Sequence, residues 1–220
     1  MPLKLSTPTV YLITSGATTP HSSPASEDFQ QVLKLVAAAV TERVPLIQLR
    51  EKNLSAHALF QLATQAARLT RGSQTSLLVN DRPDIAAASR AGGVHLTTRS
   101  LPARIVRRAF GSRFVIGVST HTLLEARAAR DDGADFAVFG PIFETPSKLA
   151  FGPPLGLDKL TAAAQALKPF PLLALGGITR ENAASTLQAG ASGIAGISIF
   201  GDNPQTLKAT MSALRALVIM

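Results

Sequence analysis

Three observations in this chain predict an α/β fold of the (β/α)8, or TIM-barrel, class. Eight short apolar runs recur along it, helical patterns lie between them, and polar clusters follow several runs at their C-terminal ends. Short continuous apolar runs suit parallel strands buried on both faces. Their starts lie mostly about 20 to 40 residues apart, the room a strand–helix–strand unit requires. Eightfold alternation argues for a closed barrel over an open sheet. A doubly wound sheet would carry a glycine-rich fingerprint after its first strand. Thr14-Ser15-Gly16-Ala17-Thr18-Thr19-Pro20 is not one.

The elements follow in order. The first strand run is Val10-Tyr11-Leu12-Ile13; Thr14 to Ser26, rich in Ser, Thr and Pro, reads as a mobile loop. Apolar residues at i, i+3, i+4 and i+7 predict a helix over Phe29 to Val40, with Asp28 at its start. The second run is Leu46 to Leu49, and Ser55 stands where it would cap a helix over Ala56 to Leu69. Ser76 to Val79 is the third run, with Asp84 opening the next helix. Gly93 to Leu96, the fourth, contains His95, which reads as a core histidine. Phe114 to Val118 is the fifth, and Thr122 starts the following helix. Phe136 to Phe139 is the sixth. The stretch Pro141 to Pro154 after it is long for a compact domain, the mark of a lid or binding loop. Pro171 to Leu175 and Gly193 to Ile197 complete the set, with Thr179 placed to start the helix between them. No internal boundary stands out, so residues 1–220 read as a single domain.

Composition narrows the function. With 220 residues, 46% of them hydrophobic, the chain can bury one substantial core. It has no cysteine, which excludes disulfides and thiolate metal sites. No stretch of about 18 uninterrupted apolar residues occurs, and Met1 to Val10 lacks a targeting pattern. The expectation is a soluble cytoplasmic protein without a membrane partner. A net charge of +8 invites an anionic ligand. The arginines are scattered (Arg68, Arg71, Arg104, Arg107, Arg108, Arg127, Arg130), and there is one tyrosine and no tryptophan. That pattern argues against nucleic acid and for small phosphorylated metabolites. It is compatible with a homo-oligomer.

In a (β/α)8 barrel the strand C-termini carry the active site, so the clusters there matter most. Gln48, Arg50 and Lys52 alternate, and period two would aim all three into the barrel mouth as an oxyanion site. The competing reading pairs Arg50 with Glu51 or Asp81. Asn80-Asp81 closes strand three: Asn80 can hydrogen-bond a diphosphate, and Asp81 can hold Mg²⁺ together with phosphates and water. A turn with Asp81 paired to Arg82 is the plainer alternative. Ser119 and His121 flank a helix start that attracts anions, and His121 can act as a general acid or base. Ser119 and Thr122 acting only as caps is the alternative there. Thr145, Ser147 and Lys148 in the long loop can clamp a phosphate, or Lys148 can be merely solvated. Gly176-Gly177 and Ser198 end strands seven and eight, where barrels often bind phosphate and glycine admits close approach; simple turn geometry would also explain the glycines. The polar clusters suggest one anion site near strands two, three, five and six, and another near strands seven and eight.

The order of these motifs resembles the family of thiamine phosphate synthase and its relative, the thiazole tautomerase. The resemblance runs from Tyr11 to Phe200. It is carried by Gln48 to Lys52, Val79-Asn80-Asp81-Arg82, Gly117 to Thr122, Phe139 through Lys148, Leu155-Gly156-Leu157 and Gly176 to Asn182. It implies a transferase joining a pyrimidine diphosphate to a thiazole phosphate, through loss of pyrophosphate and attack of the thiazole nitrogen on a pyrimidine cation. It also implies that Gln48, Arg50, Lys52, Asn80, Ser119 and Lys148 hold the diphosphate, with Mg²⁺ on Asp81. By the same resemblance, Thr145 and Ser147 touch the ligands, Gly177, Ile197 and Ser198 hold the thiazole phosphate, and Tyr11 helps line the pyrimidine pocket. One departure stands out. The synthases usually carry Gly-Gln-x-Asp after strand four, the Asp being a second Mg²⁺ ligand; here Thr97-Thr98-Arg99-Ser100 puts Ser100 in that place. The tautomerases also tend to lose acidic positions, and His121 matches their histidine. Retained Asn80, Asp81 and Lys52 favour the synthase. A non-catalytic phosphate-binding relative is the third alternative, since fold alone does not certify turnover.

Overall fold

The computed structural model describes residues 8–145 and 153–217. Strand and helix alternate eight times: β1 (Thr9–Ile13), α1 (Glu27–Thr41), β2 (Leu46–Leu49), α2 (Ala56–Thr70), β3 (Ser76–Asn80), α3 (Pro83–Ala88), β4 (Gly93–Leu96), α4 (Ala103–Phe110), β5 (Val115–Thr120), α5 (Leu123–Asp131), β6 (Phe136–Phe139), α6 (Gly156–Leu167), β7 (Leu172–Ala174), α7 (Ala183–Gln188), β8 (Gly193–Gly196) and α8 (Pro204–Ala216). The strands form a closed barrel in sequence order, the (β/α)8 architecture. The chain groups into two compact units, one built on Val10 and Leu96–Gly196, the other on Tyr11–His95 and the chain from Ile197 onward.

In the Tyr11–His95 unit, β2 pairs with β3 in parallel, aligning Gln48 with Leu78 and Leu49 with Val79; β3 pairs with β4, aligning Asn80 with His95. Helix α1 buries Phe29, Val32, Leu33, Leu35, Val36 and Ala39 along one face. Ser26 is its N-cap residue, and Asp28 lies in the first turn, its carboxylate accepting from the Phe29 N–H at 2.8 Å. The Ser22 and Ser26 hydroxyls hold the Asp28 carboxyl below the ordinary range. Ser55 caps α2 by accepting from Ala58 N–H at 3.2 Å, and Asn203 caps α8 by accepting from Thr206 N–H at 2.9 Å. The stretch from Thr14 to Ser26 departs from the expected mobile loop. Thr18 and Ser22 are buried, and Thr18 is hydrogen-bonded to Glu51 and Asn53 across more than thirty residues of sequence.

In the other unit, β5 pairs with β6, aligning Ser119 with Val138 and Thr120 with Phe139. β5 runs to Thr120, beyond the apolar run, because the Thr120 hydroxyl satisfies itself on the Val138 carbonyl at 3.1 Å. Arg107 braces the opposite ends of these strands. Its guanidinium bonds the Gly111, Phe114 and Gly133 carbonyls and Asp135, which in turn accepts from Ile116 N–H at 2.7 Å. Thr122 is the N-cap of α5, accepting from Glu125 N–H at 3.1 Å. Thr179 does not start α7. It heads the preceding turn, its N–H donating to Asn182 Oδ1 at 2.8 Å, and Asn182 takes the cap position.

Candidate active site

The ends of β2 and β3 gather the first group. Gln48 is nearly enclosed, and its Nε2 donates to Asn80 Oδ1 at 2.9 Å. In this arrangement the Asn80 oxygen faces Gln48 and its NH₂ is turned away from that bond. Arg50 is half-buried and Lys52 exposed. β2 ends at Leu49, so Lys52 sits in a turn, and the period-two argument does not reach it. Glu51 is only 3% exposed and accepts from Thr14 Oγ1 at 2.5 Å and from Thr18 Oγ1 at 2.7 Å. Its carboxylate is therefore engaged with threonines, not with Arg50.

Asp81 occupies the left-handed region at φ 55°, and its N–H donates to the His95 carbonyl at 2.9 Å. Aspartate tolerates that region better than most residues. The conformation turns the chain sharply at the end of β3 with the Asp81 side chain exposed. The Arg82 guanidinium bonds Asp84, with contacts of 2.8 and 2.6 Å. Tyr11 is fully buried, its ring centroid 5.5 Å from that of His95. Burial raises the Tyr11 phenol well above its ordinary pKa and depresses His95 to about 3, so both are neutral near pH 7. His95 is a core histidine, as its place within a strand suggests. Ile197 is half-buried and Ser198 exposed, in the turn that follows β8.

The second group lies at the ends of β5, β6 and β7. Ser119 is half-buried and belongs to the strand, so it is not a helix cap. His121 is exposed, and its Nδ1 lies 2.6 Å from the Gly140 carbonyl. A carbonyl only accepts, so Nδ1 carries the proton; in the neutral ring Nε2 then holds the lone pair. Gly176 and Gly177 both take positive φ, 98° and 63°. Their immediate reason is a close crossing: a Cβ on Gly177 would stand 2.6 Å from the Glu144 carbonyl oxygen and 2.7 Å from Phe143 Cβ. Ile142 and Phe143 N–H groups donate to the Leu175 and Gly176 carbonyls at 2.9 and 3.0 Å, and Asn182 Nδ2 donates to the Gly177 carbonyl at 2.9 Å. Leu155 and Gly156 N–H groups return to the Pro141 and Ile142 carbonyls at 2.8 and 3.0 Å, so both stems of the long loop are tied down. Thr145 is half-buried; Ser147 and Lys148 lie outside the described residues.

The position that departs from the synthase pattern has a local occupation. Ser100 Oγ accepts from Thr97 N–H at 2.7 Å and lies 3.0 Å from Thr97 Oγ1, closing a turn after β4. Among the described residues no cluster of three His, Asp or Glu side chains could hold a metal.

A model of the thiamine monophosphate synthase family matches residues 11–200. The chain belongs to this family. A thiamine-phosphate synthase of Roseiflexus castenholzii is 42% identical over 181 residues, covering 82% of this chain and 79% of that one. Another, of Moorella thermoacetica, is 43% identical over 166 residues, covering 76% of this chain and 79% of its own. The solved thiamine phosphate pyrophosphorylase of Pyrococcus furiosus superposes with a TM-score of 0.77 at 27% identity, covering 96% of this chain and 95% of that one. In the sequence Glu51 stands only as a possible partner for Arg50, and Thr14 and Thr18 only as members of a Ser/Thr/Pro-rich loop.

Proposed function

We propose that this chain is a thiamine-phosphate synthase. It would join hydroxymethylpyrimidine diphosphate to hydroxyethylthiazole phosphate, releasing pyrophosphate. The observation that carries this reading is the Gln48–Asn80 amide pair, bonded at 2.9 Å, beside Arg50 and the exposed Asp81. In the proposed reaction the carbon–oxygen bond to the diphosphate breaks and its electron pair leaves with pyrophosphate. The thiazole nitrogen then gives its lone pair to the pyrimidine cation. Such a step needs stabilisation of the leaving charge rather than a strong base. Arg50 and Lys52 would supply positive charge, Gln48, Asn80 and Ser119 would donate hydrogen bonds, and Lys148 would add a cation from the long loop. Thr145 and Ser147 would contact the ligands, and Gly176, Gly177, Ile197 and Ser198 would hold the thiazole phosphate. Tyr11, wholly enclosed, would support the pyrimidine pocket through its packing on His95.

Mg²⁺ would be held by Asp81 and the diphosphate, where it would neutralise the departing charge. The donor set fits this limited role: Mg²⁺ commonly takes one or two carboxylates with phosphates and water. Ser100, committed to its turn, supplies no second carboxylate. The substrates are small phosphorylated molecules, and no helix among the described residues is long and apolar enough to cross a membrane. We also propose that the chain acts in the cytoplasm and as one domain. Assembly into a homo-oligomer is part of the same proposal.

One observation favours a second reading, a thiazole tautomerase: the His121 Nδ1 contact with Gly140 leaves Nε2 as the basic nitrogen for a proton shuttle. The deciding experiment is thiamine phosphate formation from the two purified substrates with Mg²⁺ titrated from zero. Mg²⁺-dependent product supports the synthase. Absence of product from folded protein at every Mg²⁺ level overturns it, and isomerisation of the thiazole carboxylate phosphate then separates a tautomerase from a silent phosphate binder.

A further inference from the structure

We infer that Glu51 is a positioning residue, which uses Thr14 and Thr18 to lock the chain after β1 around the turn that presents Arg50 and Lys52. The inference rests on the proposal that those two cations receive the diphosphate.

Five hydrogen bonds build the lock. Thr14 Oγ1 donates to Glu51 Oε1 at 2.5 Å while accepting from the Arg50 N–H at 2.9 Å. Thr18 gives both its hydroxyl, at 2.7 Å, and its N–H, at 3.2 Å, to Glu51 Oε2. Asn53 Nδ2 closes the far side on the Thr18 carbonyl at 2.9 Å. Gly16, between the threonines, takes φ 79°, and a Cβ there would lie 3.1 Å from the Arg50 carbonyl oxygen. Thr14, Thr18 and Glu51 are all buried. The loop therefore holds the turn at the Arg50 N–H and on both sides of the Glu51 carboxylate, while glycine at position 16 lets the loop pass close to the Arg50 carbonyl.

The chemistry calls for a carboxylate. Glu51 meets three donors and no acceptor, and an ionised carboxylate only accepts. Glutamine would turn an N–H₂ group either toward the Thr18 N–H, donor against donor, or toward the Thr14 hydroxyl, which could accept it only by leaving its own buried proton without that partner. Hydrogen bonds to a charged acceptor are also the stronger kind. A buried anion between two cations in sequence is costly unless it is paired in this way.

The test is calorimetric titration of inorganic pyrophosphate, with Mg²⁺, into the wild-type protein and its T18V, T18S and E51Q variants, with thermal melts alongside. Valine keeps the shape of threonine and removes its hydroxyl; serine keeps the hydroxyl. The lock predicts pyrophosphate affinity about tenfold weaker in T18V and E51Q and within about twofold of wild type in T18S. In turnover, KM for the diphosphate substrate should rise in T18V with KM for the thiazole phosphate unchanged. Wild-type binding with equal affinity in folded T18V and E51Q would overturn the positioning role and leave the synthase reading intact. Failure of the wild-type protein itself to bind pyrophosphate would overturn both.

Discussion

At the scale of single residues, Asp81 joins an unusual backbone to a proposed chemical role. Its φ of 55° limits which substitutions test the charge alone. Asparagine tolerates the left-handed region as aspartate does, so D81N changes the charge and spares the turn. We expect D81N to melt with the wild type and to lose about a hundredfold in Mg²⁺-dependent kcat/KM, the scale of removing one stabiliser of transition-state charge. An unchanged kcat/KM would move the metal role elsewhere. His95 makes a prediction about stability. Burial depresses its pKa from 6.5 to about 3, so below pH 6.5 the unfolded chain binds a proton that the folded chain refuses. Its contribution is complete above 6.5 and is lost progressively as pH falls toward 3. Between pH 6.5 and about pH 4 this is worth up to about 3 kcal/mol. Urea midpoints should fall more steeply over that range in wild type than in H95Q, and parallel slopes would refute the assignment. Both residues were visible in the sequence, one as a carboxylate closing a strand and the other as a histidine inside one. The engagement of Glu51 was not, because Thr14 and Thr18 lie far from it in sequence and threonine-rich stretches look alike whether solvated or pinned.

Elements divide along a physical line. β2, β4 and β6 match their apolar runs residue for residue, since turn-forming or polar residues bound each run. β5 outlasts its run because polar Ser119 and Thr120 continue the ladder against β6. β7 is shorter than its run: the Leu175 N–H still bonds the Phe139 carbonyl, but its own carbonyl accepts from Ile142 N–H in the crossing. Gly176 and Gly177 were legible as glycines at a barrel mouth. Their close partner, the segment from Pro141 to Glu144, was not, because it comes from another loop. That crossing carries its own prediction. In G177A a Cβ would collide with Glu144 and Phe143 while the backbone keeps φ 63°. The cost should be about 1–3 kcal/mol from the strained backbone, with more from the displaced segment. Because the same segment leads into Thr145, kcat/KM should fall further than stability alone explains. A variant that is destabilised but fully active at low temperature would separate the crossing from the site.

At the scale of the molecule, closure of the barrel was foreseen from the count of eight strand–helix repeats, but its geometry is enforced by residues that no pattern marks. β1 meets β8 through the Thr9 N–H, which donates to the Ser192 carbonyl at 2.9 Å. Gly193 opens β8 so close to Thr9 that a Cβ would stand 2.0 Å from the Thr9 carbonyl oxygen. Real Cβ atoms do not approach backbone oxygen so closely, so alanine there must push the two strands apart and break the hydrogen bond that joins them. Gly72 is the natural control. It has φ 77° but nothing within 4 Å of a built Cβ, so G72A suffers only the backbone strain, about 1 kcal/mol. G193A should cost more than about 4 kcal/mol, in the range reserved for core collision and broken networks. Urea denaturation of the two variants in parallel distinguishes conformational strain from loss of closure. If G193A were no less stable than G72A, the first and last strands would have slack to absorb a methyl group, and the barrel would not owe its closure to this contact.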